Sequence, residues 1–116
     1  MTSKLDWRYH RPGCTSCKRT QEFLEQNHIE DGTVQYASRE PLEGAAALSA
    51  LEGIAELYVA KGRKSIFLDL TRDRPSDDKL LELLLGRSGK LRAPTLRIGK
   101  RLIVGYHVEL LEDALL

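Results

Sequence analysis

Leu5-Asp6-Trp7-Arg8-Tyr9-His10-Arg11-Pro12-Gly13-Cys14-Thr15-Ser16-Cys17 is the stretch in which the period of the chain changes. Leu5, Trp7 and Tyr9 alternate with Asp6, Arg8 and His10, and that period of two predicts a first strand over about residues 4–9. Arg11-Pro12-Gly13 stops it, because Pro and Gly punctuate regular structure. From Cys14 the pattern turns helical, with Phe23 and Leu24 as apolar anchors and an end near Asn27-His28. A Cys-x-x-Cys therefore lies where a strand hands over to a helix.

Outward from that junction, Asp31-Gly32 is a turn signal, and Thr33 to Ala37 reads as a second strand. Pro41 suits the first turn of a helix. Leu48, Leu51, Ile54, Ala55 and Tyr58 recur at helical spacing, and the Ala-rich run from Gly44 to Ala50 belongs to the same predicted helix, which Lys61-Gly62 would end. Ile66 to Leu70 is short, apolar and β-prone, a possible strand. Pro75-Ser76-Asp77-Asp78 opens a further helix, with Ser76 as N-cap and two aspartates at the positive end of its dipole. Thr95 to Ile98 and Leu102 to Val104 flank Gly99-Lys100-Arg101 as a hairpin, and Val108 to Leu116 forms a last amphipathic helix. Strand–helix alternation followed by a hairpin and a helix predicts an α/β sheet covered by helices.

The 116 residues are expected to make a single domain, residues 1–116. Eighteen Lys and Arg against seventeen Asp and Glu leave a formal charge of +1, without the basic excess of a nucleic-acid binder. No apolar stretch approaches the length of a membrane span, and the first eight residues lack the apolar region of a signal peptide. Neither nucleic acid nor membrane is thus expected as a partner, and the expected compartment is the cytoplasm.

The chemistry is expected at Cys14 and Cys17. Free N–H groups and aligned dipoles at a helix N-terminus stabilise a thiolate, which lowers the pKa of the first cysteine. Two intervening residues put Cys17 one turn on, on the same face. Cys14 is then the natural attacker and Cys17 the resolver of a mixed disulfide. His10 and Arg11, just upstream, are nearby cations that would favour the thiolate. Three blander readings compete: half of a zinc site, for which only His10, His28 and His107 remain as further histidines; an inert buried thiol pair; and a static disulfide, which a reducing cytosol disfavours. Ala93-Pro94-Thr95 supports the redox reading, because Pro is tolerated at a strand start and a cis bond there would expose the Ala93 backbone.

Strand, Cys-x-x-Cys, helix, and a late Pro-Thr leading into a hairpin and helix together resemble the thioredoxin/glutaredoxin fold, and in particular the arsenate-reductase-like ArsC family, which includes the Spx-type regulators. Tyr9 to Cys17, Glu40-Pro41-Leu42, Pro75 to Leu85 and Leu91 to Leu96 carry the resemblance, with eighty residues from Cys14 to Pro94. It is nearest to ArsC family (seleno)proteins, some of which carry selenocysteine where Cys14 stands. The resemblance implies a thioredoxin-like mixed sheet flanked by helices. It implies a thiol–disulfide oxidoreductase with Cys14 and Cys17 as catalytic residues, and with Arg11, Arg92, Ala93, Pro94 and Gly105 at the substrate. Pro94 would be cis, and Gly105 would stand where the glutaredoxin glycine approaches glutathione. No bound cofactor or metal is implied; the partners would be a thiol or disulfide substrate, with glutathione or thioredoxin as reductant. Two alternatives follow from the same family: a redox-sensing regulator that binds RNA polymerase, and an arsenate reductase. For the latter, Ala93 occupies the place of the arginine before the proline, Arg92 lies one residue back on the opposite face of an extended chain, and Arg63 is a further candidate.

Overall fold

The computed structural model describes residues 4–116. Its frame is a six-stranded mixed sheet in the order β2-β1-β5-β6-β3-β4. Strand β1, Trp7–His10, is followed by helix α1, Thr15–Gln26, and by β2, Thr33–Tyr36, which lies parallel to β1 with Tyr9 opposite Gln35. On its other side β1 runs antiparallel to β5, Thr95–Ile98, which turns back into β6, Arg101–Val104. The C-terminal end of β1 and the N-terminal end of β5 therefore meet at one rim of the sheet, and that rim is where Cys14 and Pro94 sit.

Alternation along the strands splits the core in two. Tyr9, Leu57, Val59, Leu102 and Val104 face Ala47, Leu51, Leu80 and Leu84 from a 3₁₀ helix, Gly44–Leu51, and from helix α2, Asp77–Leu84. Leu96, Ile103 and Ala60 face Phe23 and Leu24 of α1 and Leu110, Leu111 and Ala114 of α3, Val108–Leu115. Helices thus cover both faces of the sheet, as the strand–helix pattern predicts. Ser76 caps α2, accepting a hydrogen bond from the Lys79 N–H at 3.4 Å, with Asp77 and Asp78 in the first turn.

The middle of the chain differs from the sequence reading. The single helix expected from Pro41 to Lys61 is instead the 3₁₀ helix followed by β3, Glu56–Lys61. Pro41 lies ahead of the helix, and Tyr58 is on a strand. Gly53, at φ 73°, breaks the helical run in a conformation that glycine adopts without strain. Beyond it Leu57 and Val59 alternate with Tyr58 and Ala60, and each set packs on a different core. Lys61-Gly62 is not a helix end: Lys61 pairs with Lys64, and Gly62, at φ 62°, turns β3 into β4, Lys64–Asp69. The strand expected near Ile66–Leu70 is therefore real but starts two residues earlier, at the outer edge of the sheet.

Candidate thiol site

The loop before α1 is a four-residue turn with the residues its geometry demands. The Cys14 N–H donates to the Arg11 carbonyl at 3.3 Å, Pro12 holds the second position, and Gly13 takes φ 79° at the third. This arrangement delivers Cys14 as the N-cap of α1, in extended conformation at φ −86° and ψ 122°. Its sulfur accepts the Cys17 backbone N–H at 3.3 Å, the bond that a Ser or Asp side chain makes at other helix starts. Both cysteines are free thiols; Cys14 is half-buried and Cys17 fully buried.

Their environments push the two thiols apart. Burial raises the Cys14 pKa, but hydrogen bonds from the Cys17 thiol and backbone N–H, and then from the Arg11 side chain with its charge, outweigh it and leave Cys14 below the ordinary thiol value. Cys17 is pushed up to about 12, by burial first and then by its hydrogen bond to Cys14 and the charge there, with the Arg11 backbone N–H and guanidinium opposing. Cys14 is thus the more acidic thiol of the pair, and its neighbour is a proton donor to it.

Across from Cys14 stands the segment before β5. The Cys14 sulfur lies 3.8 Å from the Ala93 carbonyl oxygen, and the Ala93–Pro94 bond is cis. Thr95, fully buried, donates its hydroxyl to the Arg92 carbonyl at 2.6 Å and fastens this loop from below. Sequence reasoning gives Thr95 strand propensity alone; only the folded loop brings the Arg92 carbonyl within its reach.

Other candidates land elsewhere. His10, paired with Arg11 as an expected cation, has Nδ1 3.1 Å from the Arg8 guanidinium and packs edge-on to Tyr36. Burial and then the Arg8 charge lower its pKa, with Asp31 opposing, which disfavours the cationic form. Gly105 is buried. A Cβ there would stand 2.9 Å from Arg92 Nη2 and 3.1 Å from the Ala60 Cβ, so its bare Cα makes room for Arg92. Its N–H donates to the Pro94 carbonyl at 2.8 Å, which ties β6 to the cis-proline loop. Arg92 is half-buried, with burial lowering its pKa, and lines a cleft beside Ala93 and Arg11. Arg11 is an arginine whose side chain and charge lower the Cys14 pKa. Arg63 lies in the β3–β4 turn, three strands across from β1, or about 14 Å at the usual strand spacing. The two oxyanion candidates thus sit apart, Arg92 beside Ala93 in the cleft and Arg63 in the β3–β4 turn. Among the described residues, no group of three or more His, Cys, Asp or Glu is placed to hold a metal ion.

The sheet order, the N-cap cysteine and the cis proline facing it define a thioredoxin-like protein with a Cys-x-x-Cys pair, and the family model described as ArsC family matches residues 9–114. The chain belongs to the ArsC family. It is 31% identical over 103 residues to the regulatory protein MgsR of Bacillus subtilis (strain 168), a match covering 85% of this chain and 81% of the relative. It is also 30% identical over 103 residues to the global transcriptional regulator Spx 1 of Oceanobacillus iheyensis, covering 85% and 78%. Its identity to the Spx 1 regulator of Bacillus anthracis is 28% over 108 residues, with the same coverage of each chain, 85% and 78%. No helix among the described residues is long and apolar enough to cross a membrane.

Proposed function

We propose that this chain is a thiol switch of the Spx type, in which the Cys14–Cys17 pair cycles between dithiol and disulfide and the redox state governs binding to a transcription partner, RNA polymerase, in the cytoplasm. The observation that carries the redox chemistry is the split between the thiols: Cys14 lowered and Cys17 pushed up to about 12, one turn apart at a helix start. The relatives named as regulators favour the switch over turnover.

Oxidation begins with the Cys14 thiolate attacking one sulfur of an oxidant disulfide, forming a mixed disulfide and expelling one thiolate, which takes up a proton. The Cys14 charge is then gone. Burial still raises the Cys17 pKa, but the raising effects of Cys14's charge and hydrogen bond disappear, so Cys17 deprotonates more readily. Its thiolate attacks the Cys14 sulfur and expels the second thiol. Two electrons and two protons have passed to the oxidant. Reduction by glutathione or thioredoxin reverses the sequence.

A second reading, thiol–disulfide oxidoreductase turnover, is favoured by the half-exposed Cys14 beside an open cleft. One pair of measurements separates the two. The reduced and the disulfide forms are titrated against RNA polymerase, and the reduction of a glutathione mixed disulfide is followed with excess reductant. The switch reading predicts polymerase binding that changes at least tenfold between the two forms, with slow turnover. Equal binding by both forms, with multiple turnovers abolished by Cys14→Ser, would replace it with the enzyme reading.

A further inference from the structure

Beside the thiol site, and opening onto it through Ala93, lies a cleft of about 650 Å³ with cationic walls. Arg11 enters from the turn before α1, Arg87 and Lys90 from the loop after α2, and Arg92 from the segment leading to the cis proline. No Asp or Glu lines it. With a formal charge of only +1 over 116 residues, this concentration is a local feature rather than a share of a basic surface. Lys90 is partly matched, its Nζ 3.8 Å from Glu43 Oε1. Arg92 is half-buried and no carboxylate acts on it, so burial is unopposed there. A desolvated cation without a counter-charge is expensive to keep, and an incoming anion recovers that cost.

The backbone that carries three of these cations is also held in place. The Gly86 N–H donates to the Lys90 carbonyl at 2.8 Å and the Gly89 N–H to the Gly86 carbonyl at 3.0 Å, closing the loop that carries Arg87 and Lys90. The Leu91 N–H to Leu42 and the Arg92 N–H to Leu84 pin the following residues at 2.7 Å and 2.9 Å. A loop already ordered loses less entropy on binding than a mobile one. The positive groups come from two separate loops along a cleft of about 650 Å³, which has room for several carboxylates along a chain as well as for one small oxyanion.

We infer that this cleft docks an acidic peptide segment of a partner protein, placing the partner alongside Cys14. The inference deepens the proposed switch by naming the chemistry of what it recognises, and rests on that reading only for the partner's relation to the thiols.

The test uses the reduced 116-residue chain and a fluorescein-labelled eight-residue peptide of alternating Glu or Asp with Ser or Gly. The control peptide replaces every carboxylate by its amide. Fluorescence anisotropy should show the acidic peptide binding at least tenfold tighter than the control. Affinity should fall steeply as salt rises from about 0.05 M to about 0.5 M, as screening requires. Arg87→Gln, at an exposed position that leaves the core intact, should weaken it about threefold, and Arg87→Gln with Arg92→Gln at least tenfold. Equal affinity for the two peptides overturns the inference, as does binding indifferent to both arginine substitutions. Displacement of the peptide by inorganic phosphate at about its own concentration and at constant ionic strength also overturns it, marking a small-oxyanion site. Cys14→Ser separates the two claims: it should retain peptide binding, while loss of redox-dependent binding in the wild type, with peptide binding intact, strikes the switch alone.

Discussion

At the residue scale the account rests on Cys14 being the N-cap and Arg11 being its cation. Arg11→Ala should raise the Cys14 pKa and slow alkylation by iodoacetamide near neutral pH by about two- to tenfold, because the thiolate is the reacting species. An unchanged rate would remove Arg11 from the site. Cys17 makes a stability prediction with a definite sign. Its folded pKa, about 12, lies above the ordinary thiol value of 9.0, so its protonated form is favoured by folding. That stability is fully present below about pH 9 and is lost as pH rises towards 12. Cys14, lowered in the fold, acts oppositely: its contribution is present above the unfolded thiol value and is lost as pH falls through the folded one. Urea midpoints should therefore decline through the alkaline window more steeply for the native chain than for Cys17→Ala; parallel declines would show that the burial of Cys17 carries no such cost. Gly105→Ala should destabilise by about 1–3 kcal/mol, since the new methyl meets Arg92 and Ala60 at φ 87°. A urea midpoint unchanged from the native chain would contradict that placement.

At the scale of elements, local signals were enough where the decisive interactions are local. The Arg-Pro-Gly-Cys turn, the N-cap cysteine and the Ser76 cap all involve neighbours in sequence, and α1, α2 and the β5–β6 hairpin follow from them. Ser76→Ala should cost about 1 kcal/mol, read from the urea midpoint, because the Lys79 N–H loses its acceptor. A null effect would mean α2 does not depend on that cap. The stretch from Glu52 to Leu70 was not legible in the same way. Leu51, Ile54 and Tyr58 fall on a helical period by coincidence, while β3 is held between its hairpin partner β4 and the distant β6, to which it pairs in parallel with Leu57 opposite Leu102. A contact across some forty-five positions leaves no mark in a window of ten residues. Gly62 was visible as a terminator, but Lys61-Gly62 reads equally as the end of a helix or the turn of a hairpin. The accommodation of Arg92 by Gly105 was beyond sequence reasoning for the same cause, since it needs the packed end of β6, whereas the Thr95 bond to the Arg92 carbonyl spans three residues and depends on the bend of the loop before β5.

At the scale of the whole molecule, the sheet brings two chain segments eighty residues apart to one rim: Cys14 after β1 and the cis Ala93–Pro94 bond before β5. The antiparallel β1–β5 register, with Tyr9 opposite Thr95, sets that meeting. Gly105 is a buried glycine packed against Arg92 and Ala60, and Arg63 lies in the β3–β4 turn, three strands across from β1. What remains is a thiol pair with a cationic cleft beside it, in a family whose relatives here bear regulatory names. The most direct measurement is the ultraviolet thiolate absorbance of the reduced protein, titrated against pH in the native chain and in Cys17→Ala. The account predicts one thiol ionising below the ordinary value and assigned to Cys14, with the second silent until the pH nears 12. Two thiols titrating together at the ordinary value would contradict it.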